Sequence, residues 1–144
     1  MSDARELAQQ CADAMYERDL ASRNLNMRIL EVAPGMAKLE MKITETMIQG
    51  HAACHGGYIF TLADSTFAFA CNTYDKTTVA SGCNIDYVAP GKLGDVLTAT
   101  GHEVTRKGRT GVYDIRVENQ RGELVALFRG KSYQIRGSVI ESED

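Results

Sequence analysis

Three groups within one short stretch could do chemistry: the carboxylate of Asp64 and the backbone amides of Gly56 and Gly57. Asp64 stands in the run His55–Asn72, among Tyr58, Ile59, Phe60, Leu62, Phe67 and Phe69. If that run is a helix, the neighbours of Asp64 three and four positions away are Thr61, Phe67, Phe60 and Ala68, none of them a cation. A carboxylate there loses water without gaining a partner, and burial would push its pKa upward. Such a group can act as a general base or attack a carbonyl directly. The alternative is a carboxylate at a wet edge, or one hydrogen-bonded to a distant strand. The first amides of a helix have no internal partner and lie at the positive end of its dipole. Glycines there let a ligand approach the backbone, so the Gly56–Gly57 start suits an anion or a developing oxyanion. A Gly-Gly pair can equally be no more than a flexible lead into the helix.

Other chemistry is thinly supported nearby. His51, Cys54 and His55 lie close in sequence, but their spacing is not that of a structural zinc site. Cys54 and His55 could be offered as nucleophile and base, since a thiol before a helix has a lowered pKa. Adjacent residues rarely aim their side chains at each other, and a packed, inert Cys54 is the simpler reading. The four cysteines show no CxxC spacing, so neither a metal nor a disulfide framework is indicated.

The element that must position these groups is a helix of about four turns following Gly57, apolar on nearly every side. An all-round apolar helix is buried in a core or in a membrane. This one is shorter than the about 20 residues a span needs, so a core helix is predicted. Gly57 and Asp64 would then be about 10 Å apart along the axis, too far for one to serve the other. Two copies packing these helices antiparallel would bring Asp64 of one to Gly56 of the other, twice over. A functional Asp64 therefore predicts a dimer.

Around the helix, residues 3–20 carry an apolar stripe of Leu7, Cys11 and Met15, which predicts an N-terminal helical segment within 1–23. Residues 25–33 and 36–44 read as a hairpin about Pro34-Gly35, with Met36, Leu39, Met41 and Ile43 set against Lys38, Glu40 and Lys42. Four more strands are predicted at 79–88, 95–105, 110–118 and 124–135, and short links between them favour antiparallel pairing. The end, 138–144, is expected to be a disordered acidic tail. One helix between two strands and four more is an α+β arrangement, a curved antiparallel sheet burying one face on the helix.

The 144 residues fit one domain, 1–144, and the net charge of −3 argues against a general nucleic-acid binder. No signal segment or membrane-spanning run is present, which makes the cytoplasm the expected compartment.

The runs His55-Gly56-Gly57 and Leu62-Ala63-Asp64, with Val79–Asp86, Pro90-Gly91 and Gly94-Asp95, resemble the hot-dog-fold acyl-CoA thioesterases. Gly111–Asp114 and Ala126–Lys131 extend the likeness, which covers about Asn24 to Gly137 and is strongest to the phenylacetic-acid-degradation thioesterases. The resemblance implies a hot-dog fold, a two-fold dimer and a dimer of dimers. It implies hydrolysis of aryl-acyl (phenylacetyl- or hydroxyphenylacetyl-type) CoA thioesters without cofactor or metal. Asp64 would be the catalytic carboxylate, the partner's Gly56 N–H would polarise the thioester carbonyl, and His55 would shape that pocket. Gln49 stands where the family often has Asn, to hold the water or carbonyl, and Ala89 where close relatives have Arg. Candidate substrate and coenzyme A contacts are Gly57, Arg106, Lys107, Arg109 and Lys131; the basic residues can equally be a solvated surface. Two other readings are a hot-dog dehydratase with His55 as base, and a non-catalytic acyl-CoA-binding dimer.

Overall fold

The computed structural model describes residues 2–141. In chain order the elements are α1 (Ser2–Arg18), α2 (Leu20–Asn24), β1 (Arg28–Ala33), β2 (Met36–Lys42), α3 (Gly56–Cys71), β3 (Thr78–Tyr87), β4 (Val96–Lys107), β5 (Thr110–Glu118) and β6 (Leu124–Gln134). The strands make one antiparallel sheet of six in the order β1-β2-β4-β5-β6-β3. The chain leaves the sheet after β2, runs through α3, returns at the far edge as β3, and then fills the middle. This is the hot-dog arrangement: a curved sheet wrapped around one long helix.

Close wrapping depends on missing side chains. The cross-strand row Ala37, Gly101, Ile115, Phe128 and Ile85 runs under α3. A Cβ on Gly130 would stand 2.7 Å from the Phe67 ring, and one on Gly101 would meet Thr66 at 3.3 Å. Phe67 therefore fills space that glycine leaves, and packs against Tyr113 and Phe128 with ring centroids 5.7 and 5.9 Å away. On α3 itself Ile59, Leu62, Ala63, Thr66, Phe67, Phe69, Ala70 and Cys71 are buried. The one polar side chain among them, Thr66, returns its hydroxyl to the Leu62 carbonyl at 2.8 Å.

Three sequence expectations shift. The N-terminal segment is two helices, because the Asp19 carboxylate accepts the Ser22 N–H at 2.9 Å and caps a new one, α2. Ser22, buried, then meets Ser65 of α3 hydroxyl to hydroxyl at 2.9 Å. On β2 it is Ala37, not Met36, that joins Leu39 and Met41 in the core.

The tail expected to be disordered is docked over 138–141; 142–144 lie outside the described residues. The Asp75 carboxylate accepts from the Ser138 hydroxyl at 2.7 Å and from the Val139 and Ile140 amides at 2.9 Å each. Burial works against its ionisation, but these bonds outweigh it and hold its pKa below the usual carboxylate range. A depressed carboxyl pKa stabilises above the unfolded value and is lost as pH falls through the folded one. Asp75→Ala should release the tail, lowering stability by about 1–2 kcal/mol at neutral pH. The loss should shrink in acid, read from urea midpoints at several pH values.

Candidate active site

The start of α3 is held from several sides. The Cys54 N–H bonds the Gly91 carbonyl at 2.8 Å and the His55 N–H bonds Met47 at 2.7 Å. His55 is the N-cap, its Nδ1 accepting the Gly57 amide at 2.9 Å, so its proton sits on Nε2. Gly57's amide is thereby used. The Gly56 amide has no acceptor among the described residues, and is left with the helix dipole behind it. Of the two glycines, Gly56 is the one free to donate.

Gly56 borders a cleft of about 350 Å³ lined by Gln49, Ala53, Cys54, Ile59, Tyr87 and the Val88–Pro90 turn. The side-chain oxygen of Gln49 accepts the His51 amide, tying the loop and leaving the carboxamide NH2 to donate. Tyr87, which the sequence reading did not single out, donates its hydroxyl to the Gly56 carbonyl at 2.9 Å. No sequence pattern links a strand-end tyrosine to a glycine 31 positions away.

Asp64 is not in this cleft; it lies eight residues along α3 from Gly56, about 12 Å by helical rise. Its carboxylate is half-buried, with no hydrogen bond or ion pair among the described residues. Burial raises its pKa. Its charge in turn helps to raise the thiols of Cys83 on β3 and Cys71, after burial, the larger cause for both. The helix stripe through Asp64, running Gly57, Thr61, Asp64 and Ala68, is its less covered side. Asp64 thus sits toward β3, whose outer edge pairs with no strand among the described residues.

Cys54 is buried, and burial pushes its thiol up to about 11, so at neutral pH it carries negligible thiolate. His51, Cys54 and His55 do not converge: among the described residues no three His, Cys, Asp or Glu side chains are grouped to hold a metal.

The basic residues are separated. The Arg106 guanidinium lies 3.7 Å over the Tyr74 ring centroid and 3.6 Å from Glu103. Glu103 also accepts the Tyr74 and Tyr113 hydroxyls at 2.9 and 3.1 Å, so Arg106 belongs to a brace between helix end and sheet. Arg129 is paired in fork geometry with Asp114 at 2.6 and 2.8 Å. Lys107 and Lys131 share a depression of about 180 Å³ with Ser81, Thr105, Thr110 and Ser132. Arg109 is exposed, its carbonyl bonded by the Gln134 amide at 2.7 Å. Arg106, Lys107 and Arg109 lie at the β4–β5 turn, and Lys131, opposite Gly82 on β3, is five residues along that strand from Tyr87, roughly 17 Å.

Comparison with known proteins gives concordant matches. A family model described as the thioesterase superfamily matches residues 51–126. Acyl-coenzyme A thioesterase PaaI of Escherichia coli (strain K12) is 47% identical over 92% of this chain and 94% of its own. The solved structure of the E. coli PaaI protein from the phenylacetic acid degradation operon superposes with a TM-score of 0.92 at 46% identity, covering 93% of this chain and 97% of that one. A phenylacetic acid degradation protein PaaI from Thermus thermophilus gives 0.78 at 35% identity, covering 81% and 100%.

Proposed function

This chain belongs to the thioesterase superfamily, and we propose that it hydrolyses aryl-acyl CoA thioesters of the phenylacetyl or hydroxyphenylacetyl type to the free acid and CoA. Acyl-CoA thioesterase activity is common ground with the E. coli relative; the aryl group, the site and the assembly are the proposal. The observation that carries it is a pair of groups on one helix with no partner among the described residues: the Gly56 amide at its tip and the Asp64 carboxylate about 12 Å along it.

Thioester hydrolysis needs a nucleophile and a home for the negative charge that gathers on the carbonyl oxygen. Asp64 supplies the first, as base toward water or by direct attack to an anhydride. The Gly56 amide of a second copy supplies the second. Pairing β3 edge to edge with its twin lays the two α3 helices side by side and antiparallel, so each Asp64 faces the other copy's helix tip. Gln49, in the same cleft as Gly56, adds an NH2 donor for the carbonyl or water. His55 acts as the cap that consumes Gly57's amide and leaves Gly56's free. A dehydratase would need His55 as base, but its Nδ1 already accepts an N–H and its Nε2 carries the proton. Further pairing of two such dimers completes the proposed tetramer.

Among the basic residues, Arg106 is engaged with Glu103 and Tyr74, so contact with the coenzyme A phosphates falls to Lys107 and Lys131, with Arg109 at the rim. Thiol release should be fastest with phenylacetyl-CoA and ring-hydroxylated analogues in a panel that includes short and long straight acyl chains. A preference for straight chains would defeat the aryl assignment. In the same assay Lys107→Ala with Lys131→Ala should raise KM for the CoA ester about tenfold, the equivalent of 1.4 kcal/mol. It should leave an N-acetylcysteamine thioester, which lacks the phosphates, untouched.

A further inference from the structure

We propose that Tyr87 is a positioning residue that fixes the tip of α3 so that the Gly56 amide is held on the reacting carbonyl. This rests on the thioesterase reading above. The first turn of a helix has the fewest internal bonds, and this one is pinned at two points. On one side His55 takes the Gly57 amide; on the other the Tyr87 hydroxyl donates to the Gly56 carbonyl at 2.9 Å. The Tyr87 ring lies flat enough on Gly56 that a Cβ there would come within 3.0 Å of Cζ and 3.2 Å of Cε1. Gly56 is therefore glycine for a second reason besides access: no side chain fits while Tyr87 is in place.

Tyr87 is the last residue of β3, paired with Ala126, and its side is open to solvent at 52% exposure. Core packing does not hold such a ring; the bond to Gly56 does. A phenol is protonated throughout the neutral range, and burial on its covered side raises the pKa of this one further, so the hydroxyl is a donor there. An oxyanion donor works by being in place before charge develops, and a site held loosely loses most of that effect. Tyr87 also lines the cleft Gly56 borders, so the contact lies where the carbonyl must enter.

The test is Tyr87→Phe, which keeps the ring and removes the donor. Turnover of phenylacetyl-CoA should fall about tenfold in kcat, the effect of one hydrogen bond, with KM unchanged and Tm lowered by no more than a few degrees. In a 15N-labelled sample the Gly56 amide resonance should move, whether or not any ester is cleaved. Gly56→Ala and Tyr87→Ala should be non-additive: an alanine methyl displaces the ring, so the double variant should be no worse than the poorer single one. Wild-type kcat with an unmoved Gly56 resonance in Tyr87→Phe, or losses that multiply in the double variant, would overturn the inference. If the wild-type chain cleaves no CoA ester while the resonance still moves, the thioesterase reading fails and the tyrosine–helix contact stands.

Discussion

Asp64→Asn should lower kcat on phenylacetyl-CoA on the order of 10³-fold while raising Tm. Both effects come from the same burial. The carboxylate has no bonding partner among the described residues, and burial lifts its pKa above the unfolded value of about 3.9. The sign follows from linkage: a folded state with the higher pKa holds its proton more tightly, so ionising Asp64 weakens the fold as pH rises through the window between the two values. At neutral pH the charge is carried at a cost to stability, and an amide of the same shape removes it. Activity needs the charged form, so the acid limb of the wild-type pH–rate profile should lie above the ordinary carboxylate range. In Asp64→Asn the rise of Tm on acidification through that window should be smaller than in wild type. A variant that keeps wild-type turnover would end the assignment of Asp64 to catalysis.

A second large effect should appear on mixing two dead proteins. Asp64→Asn lacks the carboxylate but has an intact helix tip. Gly56→Val keeps the carboxylate but puts a branched side chain where the Tyr87 ring already leaves only 3.0 Å. If each reaction centre draws on both copies, a heterodimer rebuilds one good site and one doubly damaged site. Random reassociation of equal amounts makes about half the dimers mixed, with half their sites working, so about a quarter of wild-type activity should return. Differently tagged chains would verify that mixed dimers form. Mixed dimers that stay silent would place carboxylate and amide donor in different reactions, or in none.

The fold was legible where one face of an element carries its own periodicity. The all-apolar run of α3 and the alternation in β5 of Tyr113, Ile115 and Val117 against polar neighbours need only local sequence to read. Met36 misled because a flexible apolar side chain at a strand end can face either way, while Ala37 fills the narrower gap beside Gly101. The break at Asp19 and the docking of 138–141 depend on particular carboxylates finding amides, the latter more than 60 residues away, and composition cannot show that. In the candidate site, Gly56 and Asp64 were readable because a helix start and a helix middle are local facts. That His55 takes one of the two glycine amides was not readable, nor was the capture of Arg106 by Tyr74 and Glu103, since each turns on side-chain directions across distant segments.

The unpaired outer side of β3 has a practical corollary. Ten residues of strand, Thr78–Tyr87, present a row of backbone groups with no cover among the described residues, and an exposed row of that kind recruits whatever strand it meets. Chains altered there should be lost to inclusion bodies during expression rather than recovered as idle monomers, so recombinant yield, ahead of any assay, should report whether the edge has found its intended mate.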